Sequence, residues 1–214
     1  MAIHWKQDKV LSIETRTGLF VLAQMLEEPY LAFYNVFQKT QDWEKIDLHT
    51  TPILFCTAVA REFLNSSNIV VQKKIKGIYR NDINKYWIHT TNIYRTIKLW
   101  EGTKNEIEFL TMGYGGKLIE ENPYSQIGFG EQHKIIQNEI DFNDNETIDK
   151  YDLDHILFYP CLNERLYLCY KLEKSIDPLK DFAFDRDIPL DYEVYIKLYA
   201  DKMTEEEWQK LPLK

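Results

Sequence analysis

The sequence predicts an α+β fold that is mainly antiparallel β, with a curved sheet or SH3-like partial barrel at the N-terminus. Three observations support this prediction. Short apolar runs separated by turn residues fill the segment from Lys9 to Leu64. Aromatic residues make up 14% of the chain, and abundant Tyr and Phe favour strands over a helical bundle. With 214 residues, 44% of them hydrophobic, the chain can bury a substantial core.

Turn residues delimit the first predicted strands. A hairpin turn is expected at Thr17-Gly18, because Gly accepts positive φ, and Glu28-Pro29 ends the strand that follows. Residues 59–64 are compatible with a short helix. The predicted strands are 9–13, 20–26, 31–37, 53–58, 69–79, 85–89, 92–99 and 106–112.

The glycines between Gly113 and Gly116 predict a flexible joint. This gives a strand-rich domain over residues 1–112 and an acidic α+β lobe over 117–214, with short helices in the lobe; one continuous domain is the alternative. In the second part, residues 132–140 are compatible with a helix or a strand.

The C-terminal part is expected to contain three further elements. The first is a hairpin over 156–172 that turns at Asn163-Glu164, and the second is a strand over 192–199. Thr204, followed three residues later by Glu207, predicts a capping box at the start of a short helix.

Cysteine usage and hydropathy indicate the compartment. Cys56, Cys161 and Cys169 have no metal-ligand spacing and are expected to be free thiols. The N-terminus lacks the apolar stretch of a secretory signal, and no run reaches the ~20 apolar residues of a membrane span. A soluble, cytoplasmic protein with no membrane association is therefore expected.

The charge is unevenly distributed. Residues 1–115 carry 14 Lys and Arg against 12 Asp and Glu, whereas residues 116–214 carry 12 against 22. Nucleic-acid binding needs a basic face, so no nucleic-acid partner is expected. The acidic second half is suited to a basic protein partner.

The motifs of common enzymes are absent from the sequence. The five histidines are widely scattered without metal spacing, and GYGG and IGFG lack the pattern of a phosphate-binding loop. No GxSxG nucleophile elbow occurs. We therefore expect no catalytic residues, no metal site and no cofactor.

The most distinctive charged segment is residues 139–154, with seven acidic residues and one lysine. Part of it, 141–152, partly matches a calcium loop but has Glu146 at the glycine position and Asp152 at the position of the bidentate Glu. Three interpretations remain: a solvated acidic loop with Asx turns, a metal site, or a partner-binding surface. The candidate binding residues are Asp141, Asp144, Glu146, Asp149 and Asp152.

The N-terminal half resembles the immunity protein 26 family of bacterial polymorphic toxin systems. KVLSIETRTGLFVLAQML is similar to the opening hairpin of that family, and TPILFCTAVAREFL to its next strand. The matching residues are Val10, Ile13, Gly18, Phe20, Ala23, Leu54, Phe55 and Val59. A later strand has Ile75 and Gly77 but lacks the Trp common in the family.

The resemblance implies a protein that binds and neutralises a cognate toxin domain, here a basic one such as a nuclease, without catalysis. One alternative is a small metal-dependent hydrolase or nuclease that uses carboxylates of the 141–152 loop, first Asp141, Glu146 and Asp149. Another is an adaptor that binds a partner other than a toxin.

Overall fold

A computed structural model describes residues 3–79, 85–120 and 133–213. Within these residues the fold is mixed α+β and strand-rich, with eleven strands and six α-helices. The predicted fold class is confirmed. None of the described helices has both the length and the apolar character needed to cross a membrane.

The chain forms two compact units. The first comprises Met1–Asp82, Ile156–Ile176 and Val194–Lys214, and the second comprises Ile83–His155 and Asp177–Glu193. The segment predicted as a joint, Gly113–Gly116, lies inside the second unit. The domain limits at 112 and 117 are a different division of the chain and stay a prediction.

A six-stranded sheet that curls into a half-barrel is the framework of the first unit. The strand order is β11-β4-β3-β2-β1-β5, and every pairing is antiparallel except β11 with β4. Register shifts interrupt the β2–β3 and β3–β4 pairings, and such irregularities bend a strand. The strands are β1 Val10–Glu14, β2 Phe20–Met25, β3 Tyr30–Gln38, β4 Ile53–Val59, β5 Ile69–Val71 and β11 Ile156–Leu157.

The first hairpin turn forms as predicted. Gly18 has φ +79°, a conformation that L side chains rarely adopt, and its N–H donates to Glu14 Oε1 at 2.7 Å. The predicted strand over 69–79 is shorter than expected, because only Ile69–Val71 pairs with β1.

Both faces of the half-barrel are covered. On one face Trp43 packs with Val10, Leu22 and Tyr34, and its indole N–H donates to Ser12 Oγ at 3.1 Å. The alternate residues of the strands face the other way, where the rings of Phe33 and Phe55 meet in a tilted arrangement with centroids 5.0 Å apart.

The hairpin predicted over 156–172 is wrong, since residues Cys161–Leu172 form helix α3. Leu162, Leu166 and Cys169 recur at helical spacing and are all buried. Arg165 of α3 lies 3.8 Å above the Phe55 ring, so this helix covers the second face of the half-barrel. The remaining helices of this unit are α1 Arg61–Ser66, α5 Glu193–Tyr199, which belongs to it from Val194 onwards, and α6 Glu205–Gln209.

Three other expectations have clear outcomes. The predicted strand over 192–199 is wrong: a 3-10 helix, Leu190–Tyr192, leads into helix α5, Glu193–Tyr199. Tyr195 and Tyr199 stack one helical turn apart, which explains the apolar pattern. The capping box is confirmed, with Thr204 as N-cap of α6 and Glu207 as its partner. All three cysteines are free, as predicted.

The second unit contains a three-stranded sheet, a separate hairpin and two short helices. The sheet order is β10-β9-β6, and β7 pairs with β8. Its core includes Ile88, Leu118, Ile148 and Phe184. The elements are β6 Tyr86–Thr90, β7 Tyr94–Leu99, β8 Ile107–Met112, β9 Gly116–Glu120, β10 Lys134–Gln137, α2 Asn145–Lys150 and α4 Pro178–Ala183. Residues 132–140 thus contribute a strand, although position 132 lies outside the described residues.

Candidate partner-binding surface

The acidic segment, residues 139–154, is held in place by a helix. Asp144 caps α2, since its Oδ1 accepts from the Thr147 N–H at 3.1 Å. Hydrogen bonds from Thr147 lower the pKa of Asp144, because they favour the charged carboxylate. Ile148 on the inner side of α2 is completely buried in the core of the second unit. The middle of the segment is therefore a short helix whose inner side packs on the core, with its acidic side chains on the surface.

Two cations from the 177–193 stretch fasten the segment. Lys180 Nζ donates to the carbonyl oxygens of Ile148 and Tyr151, both at 2.8 Å. Arg186 binds Asp149 Oδ1 and Asn145 Oδ1, both at 2.6 Å. The backbone of the acidic segment is thus anchored at several points, which limits the ordering that partner binding would require.

The five candidate binding residues lie on the surface of this unit. Asp141, Glu146 and Asp149 are exposed, whereas Asp144 and Asp152 are half-buried. Asp141 Oδ1 accepts from the Asn143 N–H at 2.7 Å, so the Asx turn expected here is present. Asp149 keeps 68% of its side chain exposed despite its pairing with Arg186. The segment therefore presents a fixed acidic surface.

The same geometry gives no support to the metal interpretation. Within residues 3–79, 85–120 and 133–213, no group of three or more His, Cys, Asp or Glu side chains is arranged to hold a metal ion. Of the predicted ligands, Asp149 is paired with Arg186, and Glu146 lies within a helix that Asp144 caps. A calcium loop would instead direct these oxygens towards one point.

An apolar surface adjoins the acidic segment. Phe142 lies between Asp141 and Asn143, and its ring meets Tyr114 with centroids 5.0 Å apart. Tyr114 itself lies under the guanidinium of Arg95, on the inner face of the β7–β8 hairpin. The outward face of that hairpin carries exposed Tyr94, Leu110 and Met112. We call these three residues the hairpin patch.

Sequence reasoning identified the two strands of this hairpin but missed the patch. The signal was present in IEFLTM, where Ile107 and Phe109 alternate with Leu110 and Met112. Apolar residues on both faces of a two-stranded hairpin mean that one set stays exposed if no other layer covers it.

A histidine group in the same unit was also missed. His89 Nδ1 lies 2.6 Å from Asp154 Oδ2, and the His133 ring stacks on His89 at 5.5 Å. His155 Nε2 lies 2.9 Å from Thr90 Oγ1. These histidines are far apart in the sequence, so their spacing did not indicate that they lie close together. A His–carboxylate pair can carry a proton, but its acidic surroundings do not suit a polyanionic substrate.

The first unit contains a buried polar cluster with a structural role. Arg16 Nε and Nη2 bind the two Glu164 oxygens at 2.8 and 2.5 Å, and Trp208 Nε1 donates to the same carboxylate at 2.8 Å. Burial raises the pKa of Glu164, and the Arg16 guanidinium opposes that rise. The Arg16 guanidinium also stacks 3.7 Å from the Tyr167 ring centre. This cluster joins the turn between β1 and β2 to α3 and α6.

A groove of about 1260 Å³ lies between residues 41–49 and 71–79 of the first unit. Asp42, Glu44 and Asp47 line one side, and Lys73, Lys74 and Lys76 line the other. Lys74 and Glu44 already pair across it at 2.6 Å. The groove is thus close to neutral and does not favour a ligand of either charge.

Comparison with models of protein families finds a match. The model of a family described as "Domain of unknown function (DUF8309)" matches residues 1–187. No curated protein and no solved structure matches the chain.

Proposed function

The chain belongs to the DUF8309 family, and we propose that it is a non-catalytic immunity protein that binds and neutralises a basic toxin domain, such as a nuclease. The observation that carries the proposal is the anchored acidic segment on a strongly acidic unit. The second unit has nine Lys and Arg against nineteen Asp and Glu, a net charge of −10. Such a surface attracts a basic partner over long range.

Two further points support the proposal. An inhibitor needs shape and charge complementarity but no activated side chain, so it does not depend on a metal centre or nucleophile. The resemblance of the N-terminal half to the immunity protein 26 family is the reason for proposing a toxin domain as the partner. The proposed site of action is the cytoplasm, where a nuclease toxin would reach its substrate.

A protection assay tests the proposal. The chain is co-expressed with the toxin domain encoded by the gene immediately upstream, and surviving cells are counted. We expect the wild-type chain to restore growth and the five-fold variant D141N/D144N/E146Q/D149N/D152N to protect less well. Asn at position 144 keeps a good helix cap.

The matched control neutralises five exposed carboxylates of the first unit, Glu27, Glu28, Glu62, Glu173 and Glu206. Both variants have the same net charge, so a difference in protection reports position and not total charge. If the wild-type chain gives no protection, the toxin-inhibitor function is wrong. An adaptor for another partner is then the remaining class.

A further inference from the structure

We propose that the hairpin patch, Tyr94, Leu110 and Met112, is the apolar centre of the interface with that basic partner. This inference rests on the proposed function and specifies the surface used. The three side chains are 66%, 61% and 37% exposed. Tyr94 lies directly opposite Met112 in the β7–β8 register, and Leu110 is its diagonal neighbour, so the three form one continuous surface.

The hairpin that carries the patch is fixed from behind. Phe109 on its inner face meets Phe182 edge-on, with centroids 5.3 Å apart. Trp100 Nε1 donates to the Ile188 carbonyl at 3.2 Å, and Arg95 binds the Phe182 carbonyl and Asp185. A rigid hairpin presents its outer side chains without a large ordering cost on binding.

The charge of the second unit indicates which kind of partner binds the patch. Glu108 and Lys98 face each other on the same outward face of the hairpin as the patch, and Lys98 also pairs with Glu101 and Glu106. A charged rim in which these acidic groups outnumber the lysine therefore borders the patch. An apolar centre beside a charged rim is the usual anatomy of a protein interface. A second copy of this chain would bring two units of net charge −10 together, which self-repulsion opposes. A basic domain with an apolar surface fits both features.

The test uses the purified full chain and the upstream-encoded toxin domain. The variant L110Q/M112Q removes apolar surface from the patch and keeps side-chain volume. The control I135Q/I136Q makes the same change on β10 of the same unit, where Ile135 and Ile136 are 46% and 42% exposed. Circular dichroism confirms that both variants fold. We expect L110Q/M112Q to raise the dissociation rate about tenfold or more, because buried apolar contacts at an interface centre act mainly on dissociation.

Four outcomes separate the possibilities. Faster dissociation for L110Q/M112Q but not for the control supports the inference. Wild-type dissociation for L110Q/M112Q, with protection intact, overturns it and leaves the proposed function standing. A wild-type dimer in sedimentation velocity that becomes monomeric in L110Q/M112Q also overturns it, since a second copy then covers the patch. Absence of protection by the wild-type chain contradicts the proposed function itself.

Discussion

In the first unit the carboxylate of Glu164 is completely buried and bound by Arg16 and Trp208, whereas in the second unit the side chains of Asp141 and Glu146 extend into solvent. The two units also differ in their numbers of basic and acidic residues. The first unit carries seventeen Lys and Arg against fifteen Asp and Glu, and the second carries nine against nineteen.

The difference shows that similar side chains serve different ends according to burial. A buried carboxylate needs its fixed hydrogen-bond and charge partners. Removing the carboxylate, or removing its cation, therefore changes the free energy of unfolding. An exposed carboxylate contributes little to stability but acts at long range on an approaching partner. The comparison can therefore be tested by separating effects on unfolding from effects on association.

The largest expected effect is the loss of the buried pair. Arg16→Met leaves the Glu164 carboxylate buried without its cation, which typically costs about 3–5 kcal/mol of unfolding free energy. Urea unfolding of both proteins measures the difference. Lys74→Met is the control, since Lys74 and Glu44 form an exposed pair, with 82% and 66% of their side chains accessible. Equal stability of the two variants would contradict the proposed structural role of the buried pair.

The next effect concerns the anchor of the acidic segment. Ile148→Ala removes a fully buried side chain under α2 and is expected to cost about 2–5 kcal/mol. Ile135→Ala, at an exposed position of the same unit, serves as control and should leave the melting temperature nearly unchanged. A loss no larger than that of the control would mean that α2 is not held by the core.

Local sequence patterns were enough to predict the strands of the half-barrel but not helix α3. The strands β1 to β4 follow from apolar runs and from turns at Gly18 and Pro29, which act over a few residues. Asn163 and Glu164 suggested a turn because they are polar. Their burial depends on partners about 150 positions away, such as the bond from Asn163 Nδ2 to the Glu14 carbonyl at 2.6 Å. A sequence pattern does not contain such distant contacts.

The candidate surface shows the same limit. The five acidic residues were found because they are close together in sequence. The hairpin patch was missed because it becomes visible only when the strand register and the exposed face are known. The pairing of Tyr94 with Met112 joins residues 18 positions apart. His89, His133 and Asp154 likewise meet only through the sheet of the second unit.

A pH dependence should distinguish Glu164 from the surface acids. Burial raises its folded-state pKa above the usual 4.5, so the folded protein holds the proton at pH values where the unfolded chain has lost it. The contribution is therefore fully present below the unfolded pKa and is lost as the pH rises through the folded pKa. Urea unfolding at a series of pH values from about pH 4 upwards should show the wild-type advantage over Glu164→Gln shrinking as the pH rises. An advantage that grows with pH would contradict this sign.

The smallest effect on stability, and the most informative one on function, is expected from the acidic segment. The variant D141N/D144N/E146Q/D149N/D152N should unfold almost like the wild type, because Ile148 and Lys180 still anchor α2. Its association with the toxin domain should slow more than its dissociation quickens, since exposed rim charges act mainly by steering. Stopped-flow mixing of the chain and the toxin domain at several salt concentrations measures the association rate and the dissociation rate.

The loss of association rate should fade as salt rises, because the screening length is about 8 Å at 0.15 M ionic strength. The control with Glu27, Glu28, Glu62, Glu173 and Glu206 neutralised changes the net charge equally but leaves the second unit intact. If steering depends on the acidic segment, this control keeps most of the wild-type rate at low salt. Equal slowing in both variants would mean that total charge matters and that residues 139–154 are only a solvated face.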